Sequence, residues 1–283
     1  MLRSLFAAIS GLRVNQTMID VTGNNIANAN TAGYKSSQTV FQDTLSQAIS
    51  GASAPGAQGA GRGGTNPIQV GLGVQLASTT TSFTQGSTQL TNNPTDMMIN
   101  GDGFFVTKSG NETLYTRAGA FRFDAAGNLT APNGNIVQGY VPGPGAEGEA
   151  PVDITIADIV TSDADNPMTS YSVGQDGVIT GKFSDGTQRP LGQVAVANFA
   201  NPAGLEKVGG TSFRPSTNSG EAQVGSPGSG RRGTLTAGSL EMSNVDLAQE
   251  FTNLIIAQRG FQANSRVITT SDQVLEELVN IKR

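Results

Sequence analysis

The chain contains no cysteine and no histidine. The first absence excludes disulfides and thiol chemistry, and the second removes the commonest general base and the commonest metal ligand of enzymes. Charged residues make up only 14% and aromatic ones 6%, and no apolar run reaches the ~18 residues that a membrane-spanning helix needs. Net charge is −5 with the basic residues scattered, so no electrostatic footprint for nucleic acid or an anionic membrane is present. Glycine is abundant, 37 residues of 283 with 12 prolines besides, which points to tight turns and short strands in the middle of the chain. That length is sufficient for one or two domains with a real core. The start "MLRSLFAAISGLRVNQ" imitates a signal peptide, but Arg13 and Asn15 break its apolar run and no small-residue cleavage site follows. The expectation is a cytoplasmic protein, or one exported by a route that leaves no cleaved signal.

The two ends are periodic. Leu2, Leu5, Ile9, Leu12, Gln16, Ile19, Gly23 and Ile26 are spaced alternately by three and four residues, as in a coiled-coil seam. Leu247, Phe251, Leu254, Gln258, Phe261, Ser265, Ile268, Asp272, Leu275 and Val279 keep the same spacing, behind the capping candidates Ser243 and Asn244. Two long helices at opposite ends have an economical solution in pairing with each other. Their stripe is interrupted by Gln16, Gly23, Gln258, Ser265 and Asp272, so an isolated pair is marginal in water and further helices, from other copies, are wanted. After the first helix comes "NNIANANTAGYK", where short amides and Gly33, a candidate for positive φ, suit a helix that stops and turns.

Between about 42 and 67 a Gly-, Ala- and Ser-rich stretch reads as a flexible linker or extended arm. From Gln69 onward strand-like runs alternate with Gly, Asn and Asp turns, the natural pattern of short antiparallel strands. Residues 121–130 and 171–180 carry similar hairpin signals, and 143–151 reads as a surface loop. The fold class is therefore α+β: discontinuous coiled-coil-like terminal helices plus an inserted, mainly antiparallel β domain. The divisions are 1–33, the N-terminal helix; 34–68, the arm; 69–232, the β-rich domain; and 233–283, a linker and the C-terminal helix.

Motifs that suggest chemistry are incomplete. "NGDGFFV" at 100–106 lacks the full glycine fingerprint of a phosphate loop, and Asp163 to Asn166 resembles a calcium loop whose twelfth position is Gly174 rather than Glu. Asp96, Asp102, Asp124, Asp176 and Asp185 all sit in turn signals. Arg231 and Arg232 form a small loop patch, and the sequons at Asn111 and Asn128 are chance-level matches. No catalytic residue, metal site, cofactor, small-molecule substrate or nucleic-acid partner is expected.

Three stretches carry a family resemblance. "SGLRVNQTMIDVTGNNIANANTAGYKSSQTVF" resembles the N-terminal signature of the flagellar rod and hook axial proteins, and "SNVDLAQEFTNLIIAQRGFQANSRVITTSDQVLEELVNIKR" is similar to their C-terminal signature. "NNPTDMMINGDGFFVTKSGNETLYTRAGAFRFDAAGNLT" resembles the start of the family's β domain, while "GQVAVANFANPAGLEKVGGTSFRP" leans towards the hook members. The resemblance implies a structural subunit that polymerises with itself into a tube, its terminal helices forming the inner wall and its β domain the outer one. The leading reading is a subunit of the flagellar hook, where that tube is a curved universal joint connecting rod to filament and transmitting torque. Implied contact residues are Leu5, Ile9, Leu12, Ile19, Leu254, Phe261, Ile268 and Leu275, with Asn24, Asn25 and Asn28 contacting within or between subunits. Implied partners are rod proteins, hook-filament junction proteins, the hook cap and the flagellar type III export apparatus, and the implied location is the flagellum. Many hook proteins carry a further β domain for which this chain is too short, so a distal rod subunit is the alternative. A secreted β-rich adhesin with oligomerising helices is a second alternative of a different class.

Overall fold

The computed structural model describes residues 2–54, 63–141, 151–154 and 168–281. Residues 55–62 of the glycine-rich stretch, residues 143–150 of the loop read at 143–151, and the Asp163 to Asn166 run lie outside the described residues. The described chain is α+β, with a helix at each end and mainly antiparallel strands between them. It divides into two units: Met1–Ala27 with Ser37–Thr81 and Asp246–Arg283, and Asn28–Ser36 with Ser82–Val245.

The first unit is built on helices α1 (Leu2–Ala27) and α2 (Leu247–Ile281). At ~1.5 Å per residue they run roughly 39 Å and 52 Å. Gly11 of α1 meets Asn264 of α2, Asn15 meets Gly260, and Asn25 bonds Glu250, so the helices run antiparallel in one register along this length. The cap of α2 is Asp246, whose Oδ1 accepts from the amides of Ala248 at 2.9 Å and Gln249 at 3.3 Å. Ser243 and Asn244, the caps expected from sequence, serve elsewhere: Ser243 Oγ accepts from Val245 N, and the Asn244 amide is taken up in the second unit. Within the stretch read as an arm, β1 (Ser37–Asp43) and β2 (Ser46–Ser50) are strands that pair with β4 (Val74–Thr81) and β3 (Ile68–Gly71) respectively. Ser37 faces Thr81 and Asp43 faces Val74, with a register shift at Val40 and Phe41. Ser10 of α1 anchors this ribbon by accepting the Val74 amide at 3.2 Å.

The second unit contains β5 (Thr88–Leu90), β6 (Met97–Asn100), β7 (Phe104–Ser109) and β8 (Glu112–Thr116), followed by further short strands to Glu241. Strand β7 is central and covered on both faces. Alternation sends Phe105 into one core, with Met97, Ile99, Phe121, Val137, Ile179 and Val196, and Phe104 and Val106 into another, with Tyr115, Phe199 and Phe213. The second core is stitched by edge-to-face rings: Tyr115 on Phe199 at 4.8 Å and Phe104 on Phe213 at 5.9 Å. Both hairpins read from sequence form, Phe123 opposite Leu129 and Val173 opposite Ile179. Their aspartates hold the turns: Asp124 Oδ1 accepts the Ala126 and Asn128 amides, and Asp176 Oδ1 the Val178 amide.

Candidate assembly surface

Helix α1 stops where its amides begin. Thr31 N donates to Asn28 O at 3.1 Å, and Gly33 has φ +70°. A Cβ at Gly33 would stand 2.4 Å from Ala118 N, so both the backbone angle and the space require glycine. The next residue but one, Lys35, is fully buried. Its ammonium donates to Glu241 Oε1 and to Thr84 O, the latter at 2.7 Å. Glu241 Oε1 also accepts the Gly86 amide at 2.9 Å, and its Oε2 faces Arg117 Nη1 at 3.4 Å. Arg117 lies over the Phe104 ring at 5.4 Å. Burial pushes Lys35 below the usual lysine range against the pull of Glu241, and burial does the same to Arg117.

Around this ion cluster three passages of chain are bonded in a ring. Ser36 N donates to Asn244 Oδ1 at 2.8 Å, Asn244 Nδ2 donates to Ser82 O at 2.9 Å, and Ser82 N donates to Ser36 O at 2.9 Å. Lys207 adds a bond to Lys35 O at 3.1 Å and stacks on Tyr34. Ser36, Ser82 and Val245 are three of the four residues at which the two passages of this unit end, the fourth being Asn28. The ring ties Ser36 and Ser82 to Asn244, next to the third end. Glu241 is thus matched by two cations and a backbone amide, while the buried Arg117 Nε has no hydrogen-bond partner among the described residues.

In the helical unit the close seam is small and polar. On α1 it comprises Ala8, Gly11, Asn15, Met18, Thr22 and Asn25, and on α2 Glu250, Ala257, Gly260, Asn264 and Ser271, all buried or half-buried. On α1 the apolar stripe expected from periodicity sits largely one position further along, while on α2 Leu254, Ile268 and Leu275 fall on the same face as Ala257, Asn264 and Ser271. Leu5, Leu12, Ile19, Leu254, Ile268 and Leu275 are half-buried, whereas Ile9 and Phe261 are each 39% exposed. Beside Phe261, the side chains of Phe251, Ile255, Ile256, Val274 and Leu278 are also exposed. Of the asparagines, Asn25 is buried and its amide brackets Ser37, donating to Ser37 O at 2.8 Å and accepting Ser37 N at 3.0 Å, while Nδ2 also donates to Glu250 Oε1 at 3.0 Å. Asn24 is exposed and Asn28 half-buried. Burial raises the Glu250 carboxyl above its usual range, with bonds from Asn25 and Thr22 opposing. A further apolar groove of about 520 Å³ opens between α1 and β4, floored by Phe6, Ile9, Val14 and Leu76. Gly33 was visible in the sequence as the turn that ends the first helix. Arg117, Glu241 and Glu250 were not, since nothing local marks them.

A two-unit chain with paired ends, a buried ion cluster, and a long helix showing apolar side chains to solvent has the construction of a structural subunit. Family comparison agrees. Residues 5–35 match the model of the flagella basal body rod protein, residues 98–181 that of the flagellar hook protein FlgE/F/G D1 domain, and residues 236–281 that of the flagellar basal body rod FlgEFG protein C-terminal. The chain is 45% identical to the flagellar basal-body rod protein FlgG of Bacillus subtilis over 284 positions, covering all of both. It is 35% identical to FlgG of Borreliella burgdorferi over 286 positions and 32% identical to the flagellar hook protein FlgE of the same organism over 444, again covering all of each. The chain belongs to the flagellar rod and hook axial protein family.

Proposed function

We propose that this chain is a rod-type axial subunit of the bacterial flagellum, polymerising with copies of itself near the junction of rod and hook. The observation that carries the choice of rod is the nearly gap-free alignment with a rod protein, 284 positions against 283 residues. The alignment with a hook protein extends to 444 positions, so that protein has long insertions that this chain lacks. The hook reading drawn from the sequence stays as the second reading, supported by that match along the whole chain. Family membership leaves the adhesin reading without an observation of its own.

Self-assembly is supported by the exposed side chains of α2: a monomer has no use for Phe251 at 50%, Ile255 at 57% and Ile256 at 58% exposure along one helix. Other copies would cover them in coiled-coil fashion, with Leu5, Ile9, Leu12, Ile19, Leu254, Phe261, Ile268 and Leu275 at the contacts. Export through the flagellar type III apparatus and residence in the flagellum belong to the same reading. A catalytic role does not. Electron microscopy of basal bodies from a strain lacking this gene tests the choice. Loss of the distal rod supports the rod reading, and complete rods that end without a hook overturn it in favour of the hook.

A further inference from the structure

The seam of the helical unit contains one pattern twice. In α1 Gly11 is followed four residues later by Asn15, and in α2 Gly260 is followed four residues later by Asn264. Each asparagine donates its amide back to the carbonyl of the glycine one turn before it, Asn15 Nδ2 to Gly11 O at 2.7 Å and Asn264 Nδ2 to Gly260 O at 2.9 Å. Tied down in this way, each amide lies flat on the glycine of the opposite helix. A Cβ on Gly11 would stand 2.8 Å from Asn264 Nδ2, and one on Gly260 would stand 2.6 Å from Asn15 Oδ1. A methyl group at either site requires the opposing amide to move, against the bond that ties it to its own helix.

We propose that Gly11, Asn15, Gly260 and Asn264 form a reciprocal key that determines which helix α1 accepts and in which register. The geometry requires glycine opposite asparagine at both levels. An antiparallel slip of one turn sets Gly11 opposite Gly260, leaving a gap, or Asn15 opposite Asn264, forcing two amides into one space. Parallel packing in register sets like against like at both levels, and a one-turn stagger satisfies one level only. In an assembly whose copies share one polarity, α1 helices run parallel to each other and fail the test, and only an α2 face passes it. The large apolar side chains beside the seam cannot discriminate in this way, because hydrophobic contact is non-directional. Specificity of pairing thus resides in the small residues, and adhesion between copies in the large ones. This inference holds for a rod or a hook subunit alike.

The test is complementary rescue in the full-length chain, expressed in cells lacking the native gene, with the amount of chain in isolated basal bodies as readout. Alanine is a better helix former than glycine, so propensity alone predicts that Gly11→Ala and Gly260→Ala incorporate as well as the native chain or better. The key predicts that each loses about tenfold, and that Asn15→Ala added to Gly260→Ala, or Asn264→Ala added to Gly11→Ala, restores incorporation to within about twofold by removing the obstructing amide. Single variants that incorporate normally overturn the key. Double variants that stay as defective as the singles overturn it as well, since the defect would then not be the collision.

Discussion

Lys35 and Glu241 are each buried beyond solvent and separated by most of the sequence, so each is tolerable only because the other is present. Glu241 answers two cations, Lys35 and Arg117, and the Gly86 amide besides. Glu241→Gln keeps the shape and removes the charge, leaving Lys35 buried without a counter-ion and Arg117 with the field of Asp102 alone. Loss of one partner of a buried pair costs about 3–5 kcal/mol, so the unfolding midpoint of the β unit should fall by that equivalent in denaturant titration. Unchanged stability would mean that water reaches the cluster. Glu250 behaves differently: burial disfavours its charge and Asp246 repels it, while the bonds from the neutral Asn25 and Thr22 oppose only in part. Its folded pKa is raised above the ordinary 4.5, so between that value and the raised one the folded state holds a proton that the unfolded state has released. Its contribution to stability is greatest below this window and falls as pH rises through it. Assembled material should therefore lose heat resistance from this group as pH is raised from 4.5, and Glu250→Gln should flatten that part of the profile and be the more stable form at neutral pH. A steeper profile in the variant would contradict the assignment.

At the scale of the elements, the two terminal helices were legible because three-four spacing of apolar residues survives any tertiary context. Their facing surfaces were not. Hydropathy draws attention to Ile9, Leu12 and Phe261, whereas the close seam runs one position away through Ala8, Gly11 and Gly260, with Thr22, Ala257 and Ser271 further along it, whose value is small volume and leaves no mark on an apolar pattern. The cap of α2 was misplaced for a similar reason: Ser243, Asn244 and Asp246 are all good caps, and only the use of the Asn244 amide at Ser36 and Ser82 leaves the duty to Asp246. Strands β1 to β4 pair across a glycine-rich stretch, and pairing at that distance has no local signal. The turns, by contrast, were readable from single residues, Gly33, Asp124 and Asp176 among them. The exposed face of α2 carries its own prediction. Phe261→Asp places a charge where the isolated chain is already open to water, so the β unit and the monomer's melting should be unaffected within about 0.5 kcal/mol. Burying that charge against another copy is costly, and tubes should not form. Normal tubes from this variant would remove Phe261 from the contact.

For the whole molecule the two units have unlike sources of stability. The β unit has two aromatic-rich cores and a buried ion cluster of its own. The helical unit has a narrow seam of small residues, a two-stranded ribbon and much uncovered apolar surface. Coupling of its folding to assembly follows from that difference: copies supply the apolar cover that one chain lacks, and order appears where they meet. The most direct measurement is amide hydrogen exchange of the full-length chain, dilute and assembled, followed segment by segment. The account predicts slow exchange in β7, β8 and the strands around them in both states, and slow exchange in residues 2–27 and 247–281 only after assembly. Helices as well protected in the dilute monomer as in the polymer, at every concentration, would contradict it.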